Sequence, residues 1–365
     1  MKKLSSNLIS NLLKYGLGFG ALAYVVAKFW NQLQNLFRQE PQWEYLLAAA
    51  ALSVVCTAIQ MYRWYILVHA LGLPFSARGA VRLGLVGYYY NSFLPGSVGG
   101  DLVKAFFIAK DQPGRRAAAV ATVMADRVIG LYGLILFVAV VGGWCWFTGN
   151  QQILANEYLQ YIIRVCAGIV VVMTVGYIAL GFLPTARADR FAGRLHKIPK
   201  LGHHLAEVWY AVWTYRQRPG AVLLALALSA LTHPAFVFIF HFSVQVFPPE
   251  NRDLLGTLPE HFVIAPIGYI AQAFFPAPGG VGGGEAIFGY LYTLIRGPEA
   301  AAVGVAGRLS MRLIEWTLGL IGYIAYLRMK AELPIKEAEA AGEQDDPYAE
   351  RAATSEMIVP TGPAA

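Results

Sequence analysis

Six long apolar runs dominate the chain, at about residues 11–30, 44–68, 118–147, 161–183, 220–247 and 304–327. Each is near the ~20 residues that a helix needs to cross the ~30 Å core of a bilayer. The sequence therefore predicts an all-α fold, a polytopic membrane helix bundle. Only 14% of the 365 residues are charged, against roughly a quarter in a soluble domain. That gap excludes an ordinary cytosolic enzyme and a disordered protein. Cys56, Cys145 and Cys166 all lie inside apolar runs, which argues against a disulfide framework. The first run passes a cleavage-like Ala21-Leu22-Ala23 and continues to Trp30, so a retained span is expected rather than a removed signal peptide.

Two other apolar regions do not read as spans. Region 80–110 is broken at Leu94-Pro95-Gly96-Ser97-Val98-Gly99-Gly100-Asp101, and region 260–296 at Pro276-Ala277-Pro278-Gly279-Gly280-Val281-Gly282-Gly283-Gly284-Glu285. Pro and Gly at this density stop a helix. The flanking pieces are too short to span singly, roughly 14–24 Å at 1.5 Å per residue. A pair that enters and returns on one side fits. With both regions re-entrant and the N-terminus cytoplasmic, eighteen basic residues fall in cytoplasmic segments and five outside. That is the bias of the positive-inside rule.

The two broken regions are alike. Pro95-Gly96-Ser97-Val98-Gly99-Gly100-Asp101 matches Pro278-Gly279-Gly280-Val281-Gly282-Gly283, with Glu285 after one extra glycine. Downstream, Arg127-Val128-Ile129 matches Arg312-Leu313-Ile314, and the acid-to-arginine spacing is 26 in one unit and 27 in the other. Repeat one covers about 80–147 and repeat two about 260–327. They open to opposite sides, an inverted repeat of the kind that exposes one central site alternately. Together they form a membrane domain over 1–328, with a basic cytoplasmic connector at 184–219. Residues 331–365 hold two basic and eight acidic residues, and 329–365 is expected to be a disordered acidic cytoplasmic tail. The remaining chain is basic, as cytoplasmic loops alone would make it, so nucleic acid is not an expected partner.

Irregular backbone at membrane depth must be buried in protein or line a wet cavity. Two glycine-rich loops there imply an internal polar site. Each opens a helix, at Asp101 and Glu285, and helix N-termini suit phosphate or carboxylate. The same two acids suit a purely structural role, capping free N–H groups or pairing with arginine. Arg308, Arg312 and Glu315 share one face of the last span, where each charge costs about 2.5–3.5 kcal/mol at mid-span. They must point inward and pair, most simply Arg312 with Glu285 or Glu315. That leaves Arg308 the freer cation for a lipid phosphate. In the first unit the counterparts are Lys104, one turn after Asp101, and Asp126-Arg127, which suit a site or the membrane interface. Asn91 suits a cap of the half-helix or a headgroup contact. His233 and His241 are expected to be satisfied interior or interfacial residues, and Tyr88, Tyr89 and Tyr90 a belt or packing face. Metalloprotease, Walker and Gly-x-Ser-x-Gly patterns are absent from the sequence. Gly99-Gly100-Asp101 only faintly resembles an intramembrane aspartyl protease. No catalytic residue, cofactor or metal site is expected.

Asn91-Ser92-Phe93-Leu94-Pro95-Gly96-Ser97-Val98-Gly99-Gly100-Asp101, then Ala125-Asp126-Arg127, then Pro278-Gly279-Gly280-Val281-Gly282 with Glu285, resemble the lysylphosphatidylglycerol synthase transmembrane-region family, also called flippase-like or UPF0104 proteins. The resemblance covers roughly residues 10–328. In the namesake two-part synthases this region translocates lipid, and a separate soluble domain transfers the aminoacyl group. Here a short acidic tail follows the last span, so the resemblance implies lipid handling rather than synthesis. The resulting expectation is a non-enzymatic inner-membrane translocator with both termini cytoplasmic. Its partner is a phosphate-bearing membrane lipid. The alternative is a non-catalytic subunit or scaffold for a lipid-modifying or glycosyl-transferring enzyme.

Overall fold

The computed structural model describes residues 2–93, 99–149, 156–196, 198 and 202–344. These form thirteen α-helices, with three short 3-10 turns and no strand among the described residues. In chain order they are α1 (Lys2–Lys28), α2 (Trp30–Arg38), α3 (Trp43–Ala70), α4 (Ala77–Phe93), α5 (Gly99–Lys110), α6 (Arg116–Thr148) and α7 (Glu157–Gly181). Then follow α8 (Thr185–His196), α9 (Gly202–Gln217), α10 (Pro219–Gln245), α11 (Leu258–Ala273), α12 (Gly283–Arg296) and α13 (Ala301–Gln344).

Helices α3, α6, α7 and α10 are long and apolar enough to cross a membrane. They coincide with four of the six expected spans. The other two differ for visible reasons. The 304–327 run lies within α13, but Arg308, Arg312 and Glu315 interrupt its apolar character and face inward. The 11–30 run belongs to α1, where Lys14, Gly16, Gly18 and Gly20 dilute it. Of these glycines Gly18 serves packing. A Cβ at Gly18 would lie 2.7 Å from the Ala277 Cβ, while Gly16 and Gly20 face open space. Helix α13 also continues to Gln344, so the segment expected to be disordered from residue 329 begins as helix.

Both interrupted regions are pairs of half-helices, α4 with α5 and α11 with α12. In each unit the second half-helix carries the acid and packs on the following long helix, which carries the arginine. Local chemistry sets the ends. The Asn156 side chain caps α7 by accepting from the Tyr158 and Leu159 N–H groups. Glu260, in the first turn of α11, accepts from the Thr257 N–H at 2.7 Å, an arrangement that satisfies a free end donor. In the second break Gly279, Gly280 and Gly282 all have positive φ, at 55°, 66° and 78°, a conformation that side chains with a Cβ resist.

Helix α1 ties the two breaks together. Its Tyr15 hydroxyl donates to the Phe93 carbonyl at 2.6 Å, where the first break begins. Its backbone at Gly18 and Leu22 lies against Gly282 in the second. The breaks themselves are neighbours: a Cβ at Gly279 would sit 3.5 Å from the Ser92 carbonyl oxygen and 3.6 Å from that of Asn91.

Candidate functional site

A polar cleft lies between the repeats. It consists of two adjoining cavities of about 500 and 360 Å³ that share Thr57, Gln60, Tyr88, Arg127 and His233 in their walls. The larger reaches Asn91, Asp101, Lys104 and Asp126 of the first unit. The smaller reaches Gln272 and Glu315 beside the second.

In both units the acid of the second half-helix pairs with the arginine of the following long helix. In the second unit Arg312 Nη2 and Nε donate to Glu285 Oε1 at 2.7 and 2.9 Å. Glu285 Oε2 accepts the Gly282 N–H at 2.7 Å. Glu285 thus caps its own helix and neutralises Arg312, and both oxygens are used. Arg312 Nη1 donates to the Gly279 carbonyl at 2.6 Å, which fixes the loop to α13. In the first unit Arg127 Nη1 meets Asp101 Oδ2 at 2.6 Å. Asn91 Oδ1 accepts the Gly100 N–H at 2.8 Å, so its amide bridges the break and caps α5. The expected headgroup loop is described only in part, since Pro95 and Gly96 lie outside the described residues. Gly99 and Gly100 are buried at the start of α5. Pro278 and Gly280 are buried in the second loop.

Arg308 departs from its expected role. It is fully buried, its Nη2 pairs with Glu315 at 2.9 Å, and its Nε donates to Gln272 Oε1 at 2.8 Å. It is therefore not the freer cation, although its Nη1 has no partner among the described residues. Asp126 is ion-paired as well. Its Oδ1 receives Arg63 Nε at 2.8 Å, with the two side chains 13% and 7% exposed. Arg63 also donates to the Ser229 hydroxyl at 2.8 Å. His233, expected to be a satisfied interior or interfacial residue, is buried and lines both cavities, and neither ring nitrogen meets a hydrogen-bond partner of good geometry among the described residues. Tyr89 and Tyr90 pack on Tyr326 of α13, while Tyr88 lines the cleft.

Among the described cations that line the cleft, these pairings leave one over. Arg63 goes with Asp126, Arg127 with Asp101, Arg308 with Glu315, and Arg312 with Glu285. Lys104 has no carboxylate partner among the described residues. Its ammonium sits 4.3 Å above the Trp64 ring, a contact that orients a cation without cancelling its charge. Trp64 is itself anchored by its indole N–H to Thr122 Oγ1 at 3.2 Å.

Sequence reasoning missed Arg63, Gln272 and a buried network at the other end of α11. There His241 Nδ1 lies 2.7 Å from His261 Nδ1, and His261 Nε2 lies 2.6 Å from the Tyr292 hydroxyl. Arg63 carried a usable signal, because an arginine inside an apolar run is costly unless paired. Gln272 and His261 carried none, being neutral residues whose partners are distant in sequence.

Two UPF0104 membrane proteins resemble part of this chain. One, from Methanocaldococcus jannaschii, is 26% identical over 121 residues, 33% of this chain and 34% of its own length. The other, from Methanothermobacter thermautotrophicus, is 29% identical over 126 residues, 34% of this chain and 37% of its own length. The chain thus matches about a third of the length of each relative. No solved structure matches it. The family model described as the lysylphosphatidylglycerol synthase TM region matches residues 11–322, so nearly the whole helical body, both repeats and the cleft between them included, belongs to that membrane-protein family.

Proposed function

We propose that the protein is a lipid translocator that moves a phosphate-bearing amphiphile between leaflets, with the headgroup passing through the polar cleft and the tails remaining in the bilayer. The observation that carries this reading is the charge balance of the cleft taken together with the buried ion pairs behind it. Four acids are each matched by an arginine, and Lys104 adds one unmatched positive charge in the cavity wall. A singly charged phosphate diester completes that balance. The two half-helix pairs act as re-entrant hairpins of an inverted repeat in the inner membrane, with both termini cytoplasmic. The paired arginines and acids hold the two breaks in place, and Lys104, with His233 beside it in the cavity wall, meets the headgroup. Movement of this kind requires no bond to be made or broken in the lipid, so the protein acts as a carrier rather than an enzyme.

The test is reconstitution of the purified protein in liposomes containing phosphatidylglycerol with a fluorescent tail, read by dithionite quenching. Wild-type protein should accelerate flipping. Lys104→Met should slow it by about ten- to a hundredfold, the loss of one charge-assisted hydrogen bond worth ~1.5–3 kcal/mol. Lys104→Arg should retain much of the rate. A Lys104→Met protein that flips at the native rate removes the headgroup role. A wild-type protein that moves none of several headgroups moves the reading to a scaffold for a partner enzyme.

A further inference from the structure

A second lipid-shaped feature lies on the far side of α6 from the cleft. Helix α8 packs on α9 through Ala188 and Ala192, both buried, and the Trp209 indole N–H donates to the Ala188 carbonyl at 3.1 Å. This leaves Arg187, Arg190 and Arg194 exposed at offsets 0, 3 and 7, on one helical face. With Leu183, Phe191 and Trp209 they enclose a pocket of about 350 Å³. None of the three arginines is ion-paired among the described residues.

An apolar groove of about 720 Å³ begins close by, bounded by Ala125 and Val128 of α6, Ile178 of α7, Val212 of α9 and Leu226 of α10. Two links place pocket and groove end to end. Trp209 of the pocket and Val212 of the groove are three residues apart on α9, about one turn. Ile178 lies within α7 and Leu183 just past its end. Arg216 holds the two helices together by donating to the Gly181 carbonyl, with its guanidinium 4.5 Å from the Trp213 ring. A cationic pocket near the end of a span, about one helical turn from an apolar groove along that span, has the polarity sequence of a phospholipid.

We infer that α6–α10 bind one anionic phospholipid, its phosphate on Arg187, Arg190 and Arg194 and an acyl chain in the groove. Arginine suits this role because its planar fork binds phosphate oxygens two at a time. The lipid is distinct from the cargo of the cleft. It braces the outer face of the helix whose inner face carries Asp126 and Arg127.

The test is native mass spectrometry of the purified full-length protein, titrated with phosphatidylglycerol and phosphatidylcholine of the same tails. Wild-type protein should retain a phosphatidylglycerol adduct on the order of 100-fold more tightly than phosphatidylcholine, from three arginines facing one anion. Substituting all three exposed arginines by glutamine should abolish the preference without altering the melting temperature. Ile178→Trp, which fills the groove mouth from an exposed position, should weaken retention of both lipids. Lys104→Met should leave the preference intact. Three results overturn the inference: a preference that survives the triple substitution, one that disappears in Lys104→Met, or displacement of the lipid by millimolar inorganic phosphate. The second would assign the adduct to the central cleft. Because the readout is adduct retention and not flipping, the outcome is separable from that of the translocation assay.

Discussion

Arg312→Met should destabilise the folded protein by about 3–5 kcal/mol, the usual cost of stranding a buried charge by removing its partner. The Glu285 side chain is 0% exposed and that of Arg312 3%, so water cannot replace the lost guanidinium. Adding Glu285→Gln should recover most of the loss. The glutamine carbonyl can still accept the Gly282 N–H, and Gly279 keeps its bond from Gln272 Nε2 at 3.2 Å. The residual deficit should be about 1 kcal/mol, one net hydrogen bond. The matched pair in the first repeat gives a contrast. Arg127 is 39% exposed on its side chain, so Arg127→Met should cost only about 1 kcal/mol or less. Thermal and denaturant melts in one detergent read all four proteins. Equal losses in the Arg312→Met single and the double variant would mean that the buried pair is not the coupled unit described.

That contrast shows what a repeat reveals and what it conceals. The matched motifs singled out Asp101, Arg127, Glu285 and Arg312, but they left Arg312 open to Glu285 or Glu315 and the two acids open to capping, pairing or headgroup contact. They said nothing about depth: the second pair is sealed and the first borders a cavity. Arg63 meets Asp126 from sixty-three residues away, outside either repeat, and only its cost inside an apolar run marked it. The choice of Arg308 as the free cation failed because Gln272 is neutral and Glu315 was assigned to a shared role. Once Gln272 and Glu315 both hold Arg308, Lys104 is the cation left over, and its cation–π platform on Trp64 depends on a tertiary contact. The spans were legible wherever a helix is long and apolar throughout. They were less so in α1, diluted by Lys14 and its glycines, and in α13, where the charges are paired inside the protein.

Gly282→Val should abolish both the native fold and any flipping, whereas Gly20→Val should be silent. Gly282 has φ of 78°, a left-handed conformation that a β-branched residue reaches only under strain. Its missing side chain is also the space α1 occupies, since a Cβ there would lie 2.6 Å from the Leu22 backbone nitrogen and overlap the Gly18 carbonyl oxygen. Backbone cannot rotate aside as a side-chain tip can. Strain and overpacking together should cost about 3 kcal/mol or more. The displaced loop would also carry Gly279 away from Arg312. In the first repeat Gly100→Val meets the same obstacle, because a Cβ at Gly100 would fall on the Gly87 carbonyl of α4. Gly20 tests whether valine itself is harmful in α1, as nothing lies within 4 Å of its Cβ position. Melting temperature, with membrane insertion checked by fractionation, separates misfolding from failed insertion. A Gly282→Val protein that melts within about 0.5 kcal/mol of wild type, the spread of an uninvolved surface substitution, would show that α1 does not clamp the break and that the loop is a mere connector.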